Sequence, residues 1–265
     1  MSAQILAFCN QKGGVGKSTT TFHLARAAVV AGRHVLVVDL DPQGNLTSVA
    51  TMEPVAEDDL GLADALSTRT SETISDVIVA GLWDGLDVVP TSGETLGTVR
   101  DELVIAGAGR EGRLSEALAT VSDEYDLILI DCAPSLDQLT INGLTAADGV
   151  VIVTQSKLWS ANGLAHLLST IDDVRKYYNA GLVVAGVVVN QHEPHTVGGR
   201  HWHDELQAAA EVRGLRVLAP PIPKRAAIAD ATEAARGLDE WGTADAAALA
   251  TIYADYLIAL EGARA

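Results

Sequence analysis

The chain has 265 residues, of which 48% are hydrophobic and 20% charged, enough for one large α/β domain with a buried core. A formal net charge of −17 disfavours nucleic acid as a partner on charge alone. Two cysteines, Cys9 and Cys132, are too few for a disulfide framework and read as small buried thiols of a reducing compartment; the sequence shows neither a secretory leader nor an apolar stretch of the roughly 18 residues that span a bilayer.

In chain order, apolar β-type runs alternate with amphipathic helical stretches. Strands are expected at Ile5–Asn10, His34–Asp39, Leu86–Pro90, Leu127–Asp131, Val150–Thr154, Leu182–Asn190 and Val217–Ala219, and helices at Lys17–Ala31, Glu111–Val121, Asn162–Tyr178 and Ala244–Leu260. Most strand runs are near-continuous Val/Ile/Leu without polar alternation, the pattern of parallel strands covered on both faces. Such alternation builds right-handed βαβ units. The expected fold is a single domain over residues 1–265, a doubly wound, mostly parallel sheet flanked by helices. The acidic, weakly periodic stretch from Glu53 to Gly81 reads as surface helices and loops.

The first βα junction reads K-G-G-V-G-K-S-T: Lys12, Gly13, Gly14, Val15, Gly16, Lys17, Ser18 and Thr19. A bound phosphate needs several backbone N–H groups aimed at one point with no Cβ in the way. Gly13, Gly14 and Gly16 permit that, and the following helix adds the positive end of its dipole. Lys17 supplies a point charge for the β- and γ-phosphates, and the Ser18 hydroxyl is placed for Mg²⁺. At the end of the second strand, V-V-D-L-D-P-Q-G-N (Val37–Asn45) carries Asp39 and Asp41, whose i, i+2 spacing sends both from one side of a strand. Y-D-L-I-L-I-D-C-A-P-S (Tyr125–Ser135) is a buried strand with Asp131 at its C-terminal end, where α/β folds place their ligands.

Gln11 stands where the general pattern G-x-x-x-x-G-K-S/T has its first glycine, and an additional lysine, Lys12, stands early in the loop. This deviant loop resembles that of the ParA/MinD family of P-loop ATPases, in particular its small, Soj-like DNA-partitioning members, and the resemblance extends over nearly the whole chain. It implies ATP and Mg²⁺ as cofactors and a weak, partner-stimulated ATP hydrolase. Asp131 would hold Mg²⁺ through water close to Ser18, Asp39 would support the Mg²⁺ shell, and Asp41 would orient the attacking water. Asn190 and the segment Pro221-Ile222-Pro223-Lys224 would lie at the adenine edge. The family commonly has two prolines after the cysteine of the third motif; here the first is Ala133, which alters loop stiffness more than chemistry. Lys12, by the same resemblance, reaches across a two-fold interface to the phosphates of the other subunit. There it stabilises developing charge and makes homodimerisation depend on ATP.

The resemblance further implies that the ATP dimer binds DNA non-specifically, through phosphate contacts. A centromere-binding, ParB-like partner would trigger hydrolysis and release, and the protein would be cytoplasmic and nucleoid-associated. From Arg175 to Arg236 eight Lys/Arg stand against six Asp/Glu, so positive residues concentrate in the C-terminal third. Arg200, Lys224, Arg225 and Arg236 are the DNA-contact candidates, with Arg175 and Lys176 beside them; each is equally readable as ordinary surface charge. The chain starts at the phosphate-loop strand, so no N-terminal helix-turn-helix for operator binding is expected.

Two alternatives share the same ATPase chemistry: a switch that spaces a protein cargo on the nucleoid, and a MinD-like membrane cycle. The C-terminus opposes the second, because Asp245, Asp255 and Glu261 outnumber Arg264 there and acidic residues oppose anionic lipid. Ala244–Leu260 reads as a core-packing helix. His192, His195, His201 and His203 crowd one loop-to-helix stretch, but their spacing matches no common zinc pattern, and the stretch reads as a solvated, partner-contacting loop that the resemblance sets near the DNA-facing side. An iron–sulfur cluster shared across a dimer would need a second cysteine on a separate loop, which Cys9 does not supply.

Overall fold

The computed structural model describes residues 2–157 and 160–261. Seven strands, β1 (Gln4–Cys9), β2 (Val35–Leu40), β3 (Val79–Ala80), β4 (Leu86–Val89), β5 (Leu127–Cys132), β6 (Gly149–Gln155) and β7 (Val183–Asn190), form one sheet in the order β3-β4-β2-β5-β1-β6-β7. All neighbours are parallel except β3 and β4. The helices are α1 (Lys17–Val30), α2 (Thr47–Ala50), α3 (Leu62–Leu66), α4 (Ile74–Val77), α5 (Thr95–Ile105), α6 (Arg113–Ala119), α7 (Gln138–Ala146), α8 (Ser160–Tyr177), α9 (Val197–Val212), α10 (Ala226–Glu233) and α11 (Ala244–Leu260). This is the doubly wound, mostly parallel architecture that the sequence predicts.

The two-residue period of a strand splits its side chains between two cores. Ala7, Leu36, Val38, Ile128 and Ile130 pack with Leu62 and Leu66 of α3, Leu103 of α5, Leu114 of α6 and Leu139 of α7. Leu6, Phe8, Val35, Val37 and Leu129 pack on the opposite side with Phe22 and Leu24 of α1 and Leu249, Tyr253 and Leu257 of α11. Both faces of the central strands are therefore covered, which is why β2 and β5 are buried at every position. The expectation for α11 holds: its buried aliphatic side chains each contribute about 1.5–3 kcal/mol by leaving water. Its sequel at residues 262–265, including Arg264, lies outside the described residues.

Two expectations change. Val217–Ala219 is not a strand: Val217 makes a single bridge to Val187, and Pro220 and Pro221, which follow at once, have no N–H with which to extend a ladder. The stretch from Glu53 to Gly81 is not confined to the surface, because Leu62, Leu66, Ile74 and Val77 enter the core. Its helices are too short to show a helical period. They are fixed instead by end contacts, Gly61 N–H to Asp64 at 2.9 Å and Thr73 N–H to Asp76 at 2.8 Å, and by Glu102 of α5, which accepts from Ser67, Thr68 and Arg113. Burial opposes ionisation of Glu102, but these donors prevail and lower its pKa to about 2.

Strand register brings the expected chemistry together. Phe8 lies opposite Asp131, and Asp39 lies opposite Asp131 on the other flank of β5. The C-terminal ends of β1, β2 and β5 thus open side by side at one edge of the sheet, the edge where α/β folds hold ligands.

Candidate nucleotide-binding site

After β1, Asn10 turns the chain. Its amide donates to the Val153 carbonyl of β6 at 2.7 Å, and its Oδ1 accepts from the Lys12 N–H at 2.9 Å. Gly13 and Gly14 are exposed, whereas Val15 is fully buried and anchors the loop. Gly14 and Gly16 adopt φ of 71° and 89°, conformations that favour glycine. α1 begins at Lys17 with no side-chain cap and no acidic residue in its first turn. The first N–H groups of a helix have no intrahelical acceptor, so this end is left to an anion. Lys17 is 6% exposed, held beneath the loop.

Asp131 is fully buried, and neither of its oxygens accepts a well-aligned hydrogen bond. Burial pushes its carboxyl well above the ordinary range, and the neighbouring Asp39 carboxylate adds to the shift, while the Ser18 hydroxyl and Lys17 ammonium oppose it. Asp39 is differently engaged. Its Oδ2 accepts from Thr47 N–H at 2.7 Å and from the Thr47 hydroxyl at 2.8 Å, and its Oδ1 from Asp41 N–H at 3.2 Å. Burial nevertheless raises it to about 6. Thr91 completes the knot, donating its hydroxyl to the Asp39 carbonyl and its N–H to the Thr47 hydroxyl. Asp39 therefore ties the tips of β2 and β4, and Asp41, 7% exposed, stands beyond it with Oδ1 accepting from Gln43 N–H at 3.0 Å.

An under-satisfied carboxylate beside a second buried one, facing a hydroxyl at the start of a phosphate-loop helix, is a hard-oxygen donor set that fits Mg²⁺. Ser18 and Asp131 are the residues that would hold it.

On the other side of the loop, the Asn190 amide donates to the Val15 carbonyl at 2.9 Å and its Oδ1 accepts from Gln191 N–H at 2.8 Å. Its side chain is thus committed to the phosphate loop. Thr19, Asn190, Gln191, Pro223, Lys224 and Arg225 line a cavity of about 350 Å³ next to the loop. Pro223 belongs to its wall; Pro221 does not. Sequence reasoning missed Gln155, Gln191, Thr47 and Thr91. Gln155 Nε2 donates to the Gly14 carbonyl at 3.1 Å and to Gln191 Oε1 at 2.7 Å, and its Oε1 lies 3.4 Å from Lys12 Nζ. Gln191 adopts φ 51°, uncommon for a residue other than glycine; its Nε2 also donates to the Gly14 carbonyl.

The basic candidates do not merge into one patch. Lys224 pairs with Glu193 at 3.6 Å and Arg225 with Asp245 at 3.6 Å. Arg236 donates to the Glu240 carbonyl and lies over Trp241, and Arg200 donates to the Pro194 carbonyl at 2.9 Å. Arg175 pairs with Asp172, and Lys176 lies over Tyr177. The histidine stretch is partly interior, which corrects the solvated-loop reading. His192 is buried against His203, with ring centroids 4.9 Å apart, and its Nδ1 lies 3.0 Å from the Ser156 hydroxyl. Among the described residues no group of three or more His, Cys, Asp or Glu could hold a metal ion through protein atoms alone, and no helix is long and apolar enough to cross a membrane. Cys9 and Cys132 are free and buried.

The loop, the uncapped helix and the carboxylates around it define a P-loop nucleotide-binding domain. Residues 3–184 match the AAA domain family. The sporulation initiation inhibitor protein Soj of Bacillus subtilis is 37% identical over 226 residues, 82% of this chain and 87% of that protein. The chromosome partitioning protein ParA of Caulobacter vibrioides is 34% identical over 244 residues, covering 86% and 83%. Among solved structures, a Mycobacterium smegmatis cobyrinic acid a,c-diamide synthase with bound ATP analogue and magnesium superposes with a TM-score of 0.79 at 32% identity, over 98% of this chain and 94% of that one. The chain belongs to the AAA domain family and, within it, to the ParA-type P-loop ATPases.

Proposed function

We propose that this protein is a DNA-partitioning ATPase whose two subunits close around ATP and Mg²⁺, bind DNA non-specifically in that state, and are released by hydrolysis that a centromere-binding partner stimulates. The observation that carries the reading is the loop itself. Gly13 and Gly14 are exposed, and Lys12 is half-buried beside them on a pinned main chain, so the lysine is available to a second subunit's phosphates. Lys17 and the α1 N-terminus bind the phosphates, Ser18 and Asp131 hold Mg²⁺, and Asp39 fixes the loop from which Asp41 orients water. Bound Mg²⁺ supplies charge neutralisation for the β- and γ-phosphates. Thr19, Asn190 and Pro223 line the base pocket. The name of the Caulobacter vibrioides relative, chromosome partitioning protein ParA, supports partition of DNA as the purpose; a protein cargo positioned on the nucleoid remains the alternative with identical chemistry.

Lys12→Ala tests the shared site. The variant is expected to remain folded and to bind ATP, but to lose ATP-dependent dimerisation and about a hundredfold or more of turnover, read by sedimentation and phosphate release. Unchanged dimerisation and turnover would remove Lys12 from the mechanism.

A further inference from the structure

We propose that Gln155 is the positioning residue for Lys12: it holds the lysine back on its own subunit and thereby sets how tightly the ATP-bound dimer closes. This rests on the reading that Lys12 serves the other subunit's phosphates. Gln155 ends β6 and is 5% exposed. Its amide has no freedom of orientation. Nε2 donates to two acceptors, the Gly14 carbonyl at 3.1 Å and Gln191 Oε1 at 2.7 Å, so rotating the amide by 180° would turn an oxygen toward two oxygens. The carbonyl oxygen is thereby aimed at Lys12 Nζ, 3.4 Å away.

The main chain at Lys12 is fixed independently through Asn10, which is itself fastened to Val153 of the same strand β6. What remains adjustable is the lysine side chain, and its resting partner is the Gln155 oxygen. A lysine that leaves for another subunit gives up that contact, so the contact opposes closure. Gln191 extends the device toward the base pocket, because it holds both the Gln155 amide and the Gly14 carbonyl and lines that pocket.

The test compares Gln155→Met with Gln155→Glu, two side chains of similar length. Both lose the Nε2 contacts to Gly14 and Gln191; they differ in offering Lys12 either nothing or a carboxylate. The dimer dissociation constant is measured by analytical ultracentrifugation of the full chain with Mg²⁺ and a saturating non-hydrolysable ATP analogue, so that nucleotide occupancy does not vary. The expected result is dimerisation tightened by about fivefold in Gln155→Met and weakened by about fivefold in Gln155→Glu, with the unsubstituted protein between them. Gln155→Asn, one methylene too short to reach Lys12, replaces Gln155→Met if that variant does not fold. A merely structural role for Gln155 moves both variants in the same direction, and that result, or no shift in either, overturns the proposal. An unsubstituted protein that stays monomeric with the analogue fails the shared-site reading itself and takes this inference with it.

Discussion

A β-carbon at Gly16 would stand 2.1 Å from Asn190 Nδ2, on a backbone with φ of 89°. Gly16→Ala must therefore displace the amide that holds the Val15 carbonyl, in addition to about 1–2 kcal/mol for the left-handed conformation. The expected outcome is a lowered melting temperature together with a loss of ATP affinity of about tenfold or more, measured by calorimetric unfolding and titration. The local part of this site was legible in the sequence: Lys12–Thr19 by the spacing of its glycines and lysines between a strand and a helix, and Asp39, Asp41 and Asp131 by strand ends set within motifs that resemble the family's. The Asn190 contact to the loop was not, because it spans 175 residues, nor was that of Gln155, which spans 141. Gln155 and Gln191 look like ordinary polar residues at strand ends until the fold sets them against Gly14.

At the scale of elements, sequence periodicity found what packs through its own pattern and missed what packs through its neighbours. α7 contains Thr140, Asn142 and Gly143, poor helix formers, yet it is capped by Asp137. Asn142 also ties it to the Arg110 carbonyl and Leu114 N–H, so tertiary contacts override its propensity. α9 hides behind Gly198 and Gly199 for a similar reason; the Gly199 N–H donates to the capping Thr196 hydroxyl at 2.9 Å. In α5, by contrast, a β-carbon at Gly97 meets nothing within 4 Å. Gly97→Ala is expected to stabilise the protein by about 0.5–1 kcal/mol in denaturant unfolding.

The α1–α10–α11 junction carries a pH dependence. His23 is 2% exposed, with Nε2 3.1 Å from the Thr232 hydroxyl. Burial lowers its pKa from 6.5 to about 4, against the opposing Ile228 carbonyl and Asp239. Because the folded value lies below the unfolded one, the unfolded chain takes up the proton first as pH falls. The contribution is intact above about pH 6.5 and is lost progressively down to about pH 4, amounting to about 3 kcal/mol. His23→Gln should flatten that part of the stability profile relative to the unsubstituted protein; an identical slope in both would place the titration elsewhere.

For the whole molecule, the parallel strands and the two covered faces follow from the Val/Ile/Leu runs, whereas the order of the strands and the surface do not follow from any run. The formal charge of −17 and the partners already held by Lys224, Arg225, Arg200 and Arg236 leave a single subunit with little attraction for DNA. On the proposed reading a dimer offers two sets of these separated cations to one DNA, and phosphate contacts act together. DNA binding is therefore expected of the closed dimer and not of the open subunit. The most direct measurement is retention of the protein on DNA of mixed sequence with Mg²⁺–ATP, with Mg²⁺–ADP and without nucleotide, across a salt series. Retention is expected with ATP alone, falling steeply as salt rises. Equal retention in all three states, or none with ATP under conditions where the dimer has formed, would contradict it.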